Sequence, residues 1–151
     1  MRDLIHLIIQ TLTDVEEGNS IRVALRHTIE SLYLTKEEES QIYYTVFEIY
    51  RRLNLIDLYI KTSSSSFSLR KIHSNTKSIL RLATFLLKIE NKQVDEVHQL
   101  LLNYYSQINN IKLLTILYSI QETKEKTLFK NREDIPSILS LQFYLPTWII
   151  R

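Results

Sequence analysis

The sequence has no cysteine, one glycine and two prolines in 151 residues. Without cysteine there is no thiol nucleophile, no disulfide framework and no thiolate metal site, and the absence fits a reducing compartment. The single glycine, Gly18, excludes the Gly-x-Gly-x-x-Gly dinucleotide turn and the phosphate loop, because each needs several positions without a Cβ. So little glycine and proline also argues against an all-β fold, whose many tight turns demand them. Long apolar runs are missing too. The densest, from Ile79 to Ile89, is interrupted by Arg81 and Lys88 and falls short of a bilayer span. The run from Leu4 to Ile9 is broken by His6, and Asp14, Glu16 and Glu17 come after it with no small-residue cleavage site. The reading is a soluble, cytoplasmic, all-α chain with no membrane partner.

Charge of either sign is not in large excess: 19 Lys+Arg against 17 Asp+Glu leave a formal +2. Any nucleic-acid role therefore rests on a local patch rather than a global field. The length suits one domain that buries roughly 70% of the surface of its unfolded chain.

Helical spacing recurs along the chain. Leu4, Ile5, Ile8, Leu12 and Val15 predict an amphipathic helix over 2–16 that Gly18 ends. Asn19 or Ser20 caps a second helix with the stripe Ile21, Leu25, Ile29 and Leu32, leaving Arg22 and Arg26 on the solvent side. Thr35 and Glu38 form a capping box. It opens a long third helix, whose stripe Ile42, Val46, Ile49, Leu53, Ile56 and Ile60 stays apolar over about five turns. The serine-rich stretch 62–68 reads as a linker between halves at 1–61 and 69–144.

Beyond the linker, a fourth helix from Ser74 or Asn75 to about Glu90 is apolar around most of its circumference, so it should be central and buried. Val94, Val97, Leu101, Tyr104 and Ile108 predict a fifth helix, with Asp95 where an N-cap is expected. Ile111, Leu114, Leu117 and Tyr118 predict a sixth. Gln121 to Asp134 reads as a loop, Ile135 to Tyr144 as a last helix, and Pro146 as the start of another.

Three stretches resemble known sequences. The first comprises the entry Ser20-Ile21-Arg22-Val23-Ala24-Leu25 and the segment from Tyr43 to Asp57, in which Glu48 stands where the relatives often have glycine. The second is Ile79-Leu80-Arg81-Leu82-Ala83. The third is Leu139 to Arg151, which is similar to a Tyr-Ser-x-Pro-x-Trp-Leu-aliphatic-Arg junction, with Pro146-Thr147-Trp148 its strongest element. Together they resemble the NusB-type helical domain at the N-terminus of the Sun/Fmu (RsmB-like) family of RNA cytosine-C5 methyltransferases.

The resemblance implies a NusB-like bundle of about six to eight helices in two packed halves. It implies a single RNA-binding domain over 1–151, with 145–151 leading into a catalytic domain beyond the chain. That domain would hold S-adenosylmethionine and the attacking cysteines and would be this chain's partner, together with rRNA. No catalytic residue and no cofactor is assigned to the chain itself. Stand-alone NusB proteins lack the junction and usually open with an arginine-rich segment, whereas Arg2 is alone here. A stand-alone antitermination factor and a helical protein-interaction module are the alternatives.

The candidate RNA contacts are Arg2, Arg22, Arg26, Arg51, Arg52, Arg70, Lys71, Lys77 and Arg81, which would neutralise phosphates without reading sequence. The plain alternative is a solvated helix surface, since carboxylates such as Glu30, four residues after Arg26, are interspersed. The tyrosine pairs Tyr43-Tyr44 and Tyr104-Tyr105 offer rings for stacking on unpaired bases, or one core residue each. His6, His27, His73 and His98 lack the spacing that puts two ligands on one helical face, so no metal is expected. Trp148 would plug the bundle and fix the direction of the chain beyond it.

Overall fold

Gly18 stops the first helix, α1 (Leu4–Glu16), in a conformation that L side chains avoid: its φ is +115°. A Cβ added there would meet nothing within 4 Å, so the demand for glycine comes from the backbone alone. The Gly18 and Asn19 amides donate back to the Val15 and Asp14 carbonyls at 3.1 and 3.2 Å, satisfying the end of the helix. Ser20 then caps α2 (Ile21–Glu30) by accepting from the Val23 amide at 3.2 Å. The capping box of α3 (Lys36–Arg51) is complete. Thr35 accepts from the Glu38 amide at 3.1 Å, and Glu38 accepts from the Thr35 amide at 2.9 Å.

The computed structural model describes residues 4–30, 32–63, 72–105 and 110–128, and every regular element among them is helical. After α3 come α4 (Leu53–Ser63), α5 (Ser74–Thr84) with a π-helical turn at Phe85–Ile89, α6 (Val94–Leu101), α7 (Asn110–Glu122) and α8 (Glu125–Leu128). The protein is an all-α bundle. No helix among the described residues is long and apolar enough to cross a membrane.

Helix α5 is the centre of the bundle, as its all-round apolar pattern predicts. From Ser78 to Leu87 every residue is buried, and α5 packs against α1, α4, α6 and α7. Helix α1 in turn packs against α2 and α3. One apolar cluster runs from Leu7 through Ile79 and Leu82 to Ile120, so segments on both sides of residues 62–68 share a core. A buried hydroxyl pair, Thr11 to Thr28 at 2.7 Å, ties α1 to α2.

Several sequence expectations need correction. The long third helix divides at Arg52, where φ −107° and ψ 19° leave the helical region. No proline or glycine causes the break; α3 packs on α1, whereas α4 must turn to reach α5 and α7. The buried stripe changes phase there, from Ile42, Val46 and Ile49 to Leu55, Ile56, Tyr59 and Ile60, and Leu53 is only partly buried. Gln93, not Asp95, precedes α6; Asp95 and Glu96 lie in its first turn, where a negative charge suits the helix dipole. Helix α6 stops at Leu101, short of Ile108, which lies outside the described residues. Helix α7 buries Leu113, Ile116, Leu117 and Ile120, leaving Tyr118 exposed on the far side. The expected loop after Gln121 contains α8, because Leu128 packs onto Leu55 and Tyr59. Most of the linker, Arg2, Arg70, Lys71, the last predicted helix and the junction residues Pro146 and Trp148 lie outside the described residues.

Candidate nucleic-acid interface

Burying Ile42, Val46 and Ile49 on one side of α3 turns the opposite stripe outward. That stripe reads Lys36, Ser40, Tyr43 and Tyr44, Phe47, Arg51, all exposed. Tyr43, Tyr44 and Phe47 are 41%, 53% and 46% accessible, and the Tyr43 and Phe47 rings stack at 6.1 Å with 17° between their planes. Lys36 and Arg51 stand at the two ends, about 22 Å apart at the α-helical rise. The result is an aromatic ridge flanked by cations.

Of the cations singled out in the sequence, Arg22, Arg26 and Arg51 face solvent. Arg22 and Arg26 share one stripe of α2, with Arg26 4.0 Å from Glu30; Arg51 lies 3.4 Å from Glu48. The Arg26–Glu30 pair is exposed on both sides, so it is worth about 0–1 kcal/mol and opens easily for a phosphate; Arg51 is exposed, while its partner Glu48 keeps only 17% accessibility. Arg52 is turned toward the same Glu48, with only 18% of its side chain accessible.

Lys77 and Arg81 are brought together, but around carboxylates of the bundle itself. Arg81, 5% accessible, forks onto Asp57 of α4 through two hydrogen bonds of 2.9 Å and also donates to Glu16 of α1. Lys77 reaches the other oxygen of Glu16 at 3.1 Å. Burial raises the Glu16 carboxyl, but hydrogen bonds and charge from Arg81 and Lys77 outweigh this and hold it below its ordinary value. Burial likewise opposes the Arg81 charge, and Asp57 and Glu16 overcome it, so its pKa rises. The expectation that Arg81 touches RNA phosphates is therefore corrected: its guanidinium is the inner joint of α1, α4 and α5.

The tyrosine pairs behave differently. Tyr105 is buried, with its phenol pushed up by desolvation, while Tyr104 is half-buried and stacks on His6 at 5.8 Å. In the other pair both rings stay outside. His27 meets Asp14 at 3.3 Å, and no group of three or more His, Cys, Asp or Glu that could hold a metal occurs among the described residues.

The sequence reading missed Lys36 and Phe47 as members of the ridge. Both sit on the stripe opposite Ile42, Val46 and Ile49, so a helical projection of α3 would have found them. It also missed Glu16 and Asp57 as the partners of Arg81, which no local spacing reveals. In comparisons with known proteins, the chain matches no family model, no curated protein and no solved structure.

Proposed function

We propose that this chain is a non-catalytic RNA-binding helical domain. The observation that carries the reading is the α3 ridge, where Tyr43, Tyr44 and Phe47 stand exposed between Lys36 and Arg51. Three solvent-facing rings on one helix cost the free protein apolar exposure without serving its core. A stacked base returns about 1–3 kcal/mol per ring, and flanking cations neutralise the backbone. The sequence resemblance extends the proposal: the domain would present rRNA to a cytosine-C5 methyltransferase domain elsewhere in the same protein. S-adenosylmethionine and the attacking thiol would belong to that domain, since this chain has no cysteine.

The test is a fluorescence-anisotropy titration of the chain with a single-stranded rRNA fragment at about 50 and about 200 mM salt. Two phosphate contacts, from Lys36 and Arg51, predict a log–log salt slope of about −1.4 and a loss of affinity of roughly sevenfold between those conditions. Tyr44→Ala and Phe47→Ala should each weaken binding by about fivefold or more at constant salt. Absence of binding at low salt, or binding that ignores both substitutions, refutes the proposal.

A further inference from the structure

Glu48 stands on the flank of the ridge, one residue after Phe47 and four after Tyr44. Its two carboxylate oxygens serve two arginines: Oε1 accepts from Arg51 at 3.4 Å, and Oε2 pairs with Arg52, the residue at which α3 ends. At about 100° per residue, Glu48 lies between Arg51 and Arg52 around the helix, so one carboxylate holds a cation on either side. The side chains of Glu48 and Arg52 are 17% and 18% accessible, whereas that of Arg51 is 64% accessible.

That asymmetry decides which arginine can meet RNA. An exposed cation exchanges a carboxylate for a phosphate readily, because water and salt already screen it. A pair with both members mostly covered is screened far less, so Arg52 stays with Glu48 when Arg51 leaves. Glu48 also sets a negative charge beside Tyr44 and Phe47, where the backbone of a strand stacked on those rings must pass. The ridge therefore grips RNA with Lys36 and Arg51, although a third cation stands on its flank.

Resting on the reading of the ridge as an RNA site, we propose that Glu48 is an internal competitor of the RNA backbone, which withholds Arg52 and limits the ridge to two phosphate contacts. Its carboxylate takes the place a third phosphate would occupy, and so sets how tightly the ridge holds a strand.

The experiment is the salt titration of Glu48→Gln, in the whole chain, with the same single-stranded rRNA fragment; glutamine keeps the shape of the side chain and removes its charge. A third phosphate contact steepens the log–log slope from about −1.4 to about −2.1, so affinity should fall roughly 18-fold between about 50 and about 200 mM salt instead of sevenfold. With the counterion contribution vanishing near about 1 M salt, that contact should tighten binding roughly eightfold at about 50 mM and threefold at about 200 mM. Adding Arg52→Gln to Glu48→Gln should return the slope to the wild-type value. Glu37→Gln, which removes the same charge from an exposed position of α3, should leave the slope unchanged. Circular dichroism checks that each variant is helical. The proposal is overturned if Glu48→Gln keeps the wild-type slope, if Glu37→Gln steepens it equally, or if the gain survives the loss of Arg52. Absence of binding by wild type and Glu48→Gln alike refutes the ridge reading itself, whereas wild-type binding that depends on Tyr44 and ignores Glu48 refutes this proposal alone.

Discussion

Replacing Arg81 by Met isolates the worth of the charge at the joint of α1, α4 and α5. Methionine is unbranched and fills the space of the arginine stem, so the cavity contribution is small. The substitution takes the guanidinium from between the Asp57 and Glu16 carboxylates, with Lys77 still 3.1 Å from Glu16. Removing one member of a buried ion pair costs about 3–5 kcal/mol. The side chains of Glu16 and Asp57 keep 21% and 22% accessibility, so water recovers part of their hydration and about 3 kcal/mol is the appropriate figure. For a chain of this length that corresponds to a fall in Tm of about 6–12 °C.

The assay is urea unfolding followed by circular dichroism, at neutral pH and again in acid. Glu16 is held below its ordinary value, so its contribution is present above about pH 4.3 and fades as pH falls through the lower folded-state value. Wild type should therefore lose stability in acid faster than Arg81→Met, and the two curves should converge. A difference under about 1 kcal/mol at neutral pH, or one that stays constant down to about pH 3, would show that Arg81 acts through packing alone and refute the charge argument.

Local geometry sets two further outcomes. Thr35→Ala removes half of the capping box and should lower stability by about 1 kcal/mol, seen as a small drop in Tm with unchanged helicity at low temperature. Tyr50 is buried enough that its phenol is pushed up to about 12, with the charge of Arg81 pulling it partly back. An unfolded tyrosine ionises near pH 10, so this group's contribution is intact below about pH 10 and lost as pH rises toward about 12. Tyr50→Phe should flatten the alkaline decline of stability; identical slopes for the two proteins would sink the idea.

Much of the bundle was legible because the deciding interactions are local. The capping box, the Gly18 stop and the burial of Ile79 to Leu87 each arise from residues within a few turns of one another. The break at Arg52 was not legible, since a stripe of four and three continues through it; only the position of α5 and α7 requires α4 to turn. The phase of α7 shifts for the same reason: Leu117 of the expected stripe is fully buried and Leu114 partly, but the neighbouring helices bury Leu113, Ile116 and Ile120 and leave Tyr118 outside. The candidate interface divides likewise. Exposure of Arg22, Arg26 and Arg51 comes from their helical stripes. The inward turn of Arg81 depends on Asp57, 24 residues earlier, and on Glu16, 65 residues earlier.

The π-turn at Phe85–Ile89 makes the central helix unusually forgiving of length. A turn that closes over five residues already contains one more than an α-helix uses. Deleting a residue elsewhere in α5 would rotate every later side chain about the axis and pull Leu82 or Phe85 out of the core. Deleting one within this turn lets the chain close with ordinary four-residue hydrogen bonds and leaves the helix before it in register. What such a deletion changes is the aim of Lys88, whose ammonium bonds the Gln121 and Thr123 carbonyls at the end of α7 and lies 5.2 Å over the Tyr59 ring. The position most tolerant of a missing residue is thus also the one that decides how α7 is anchored.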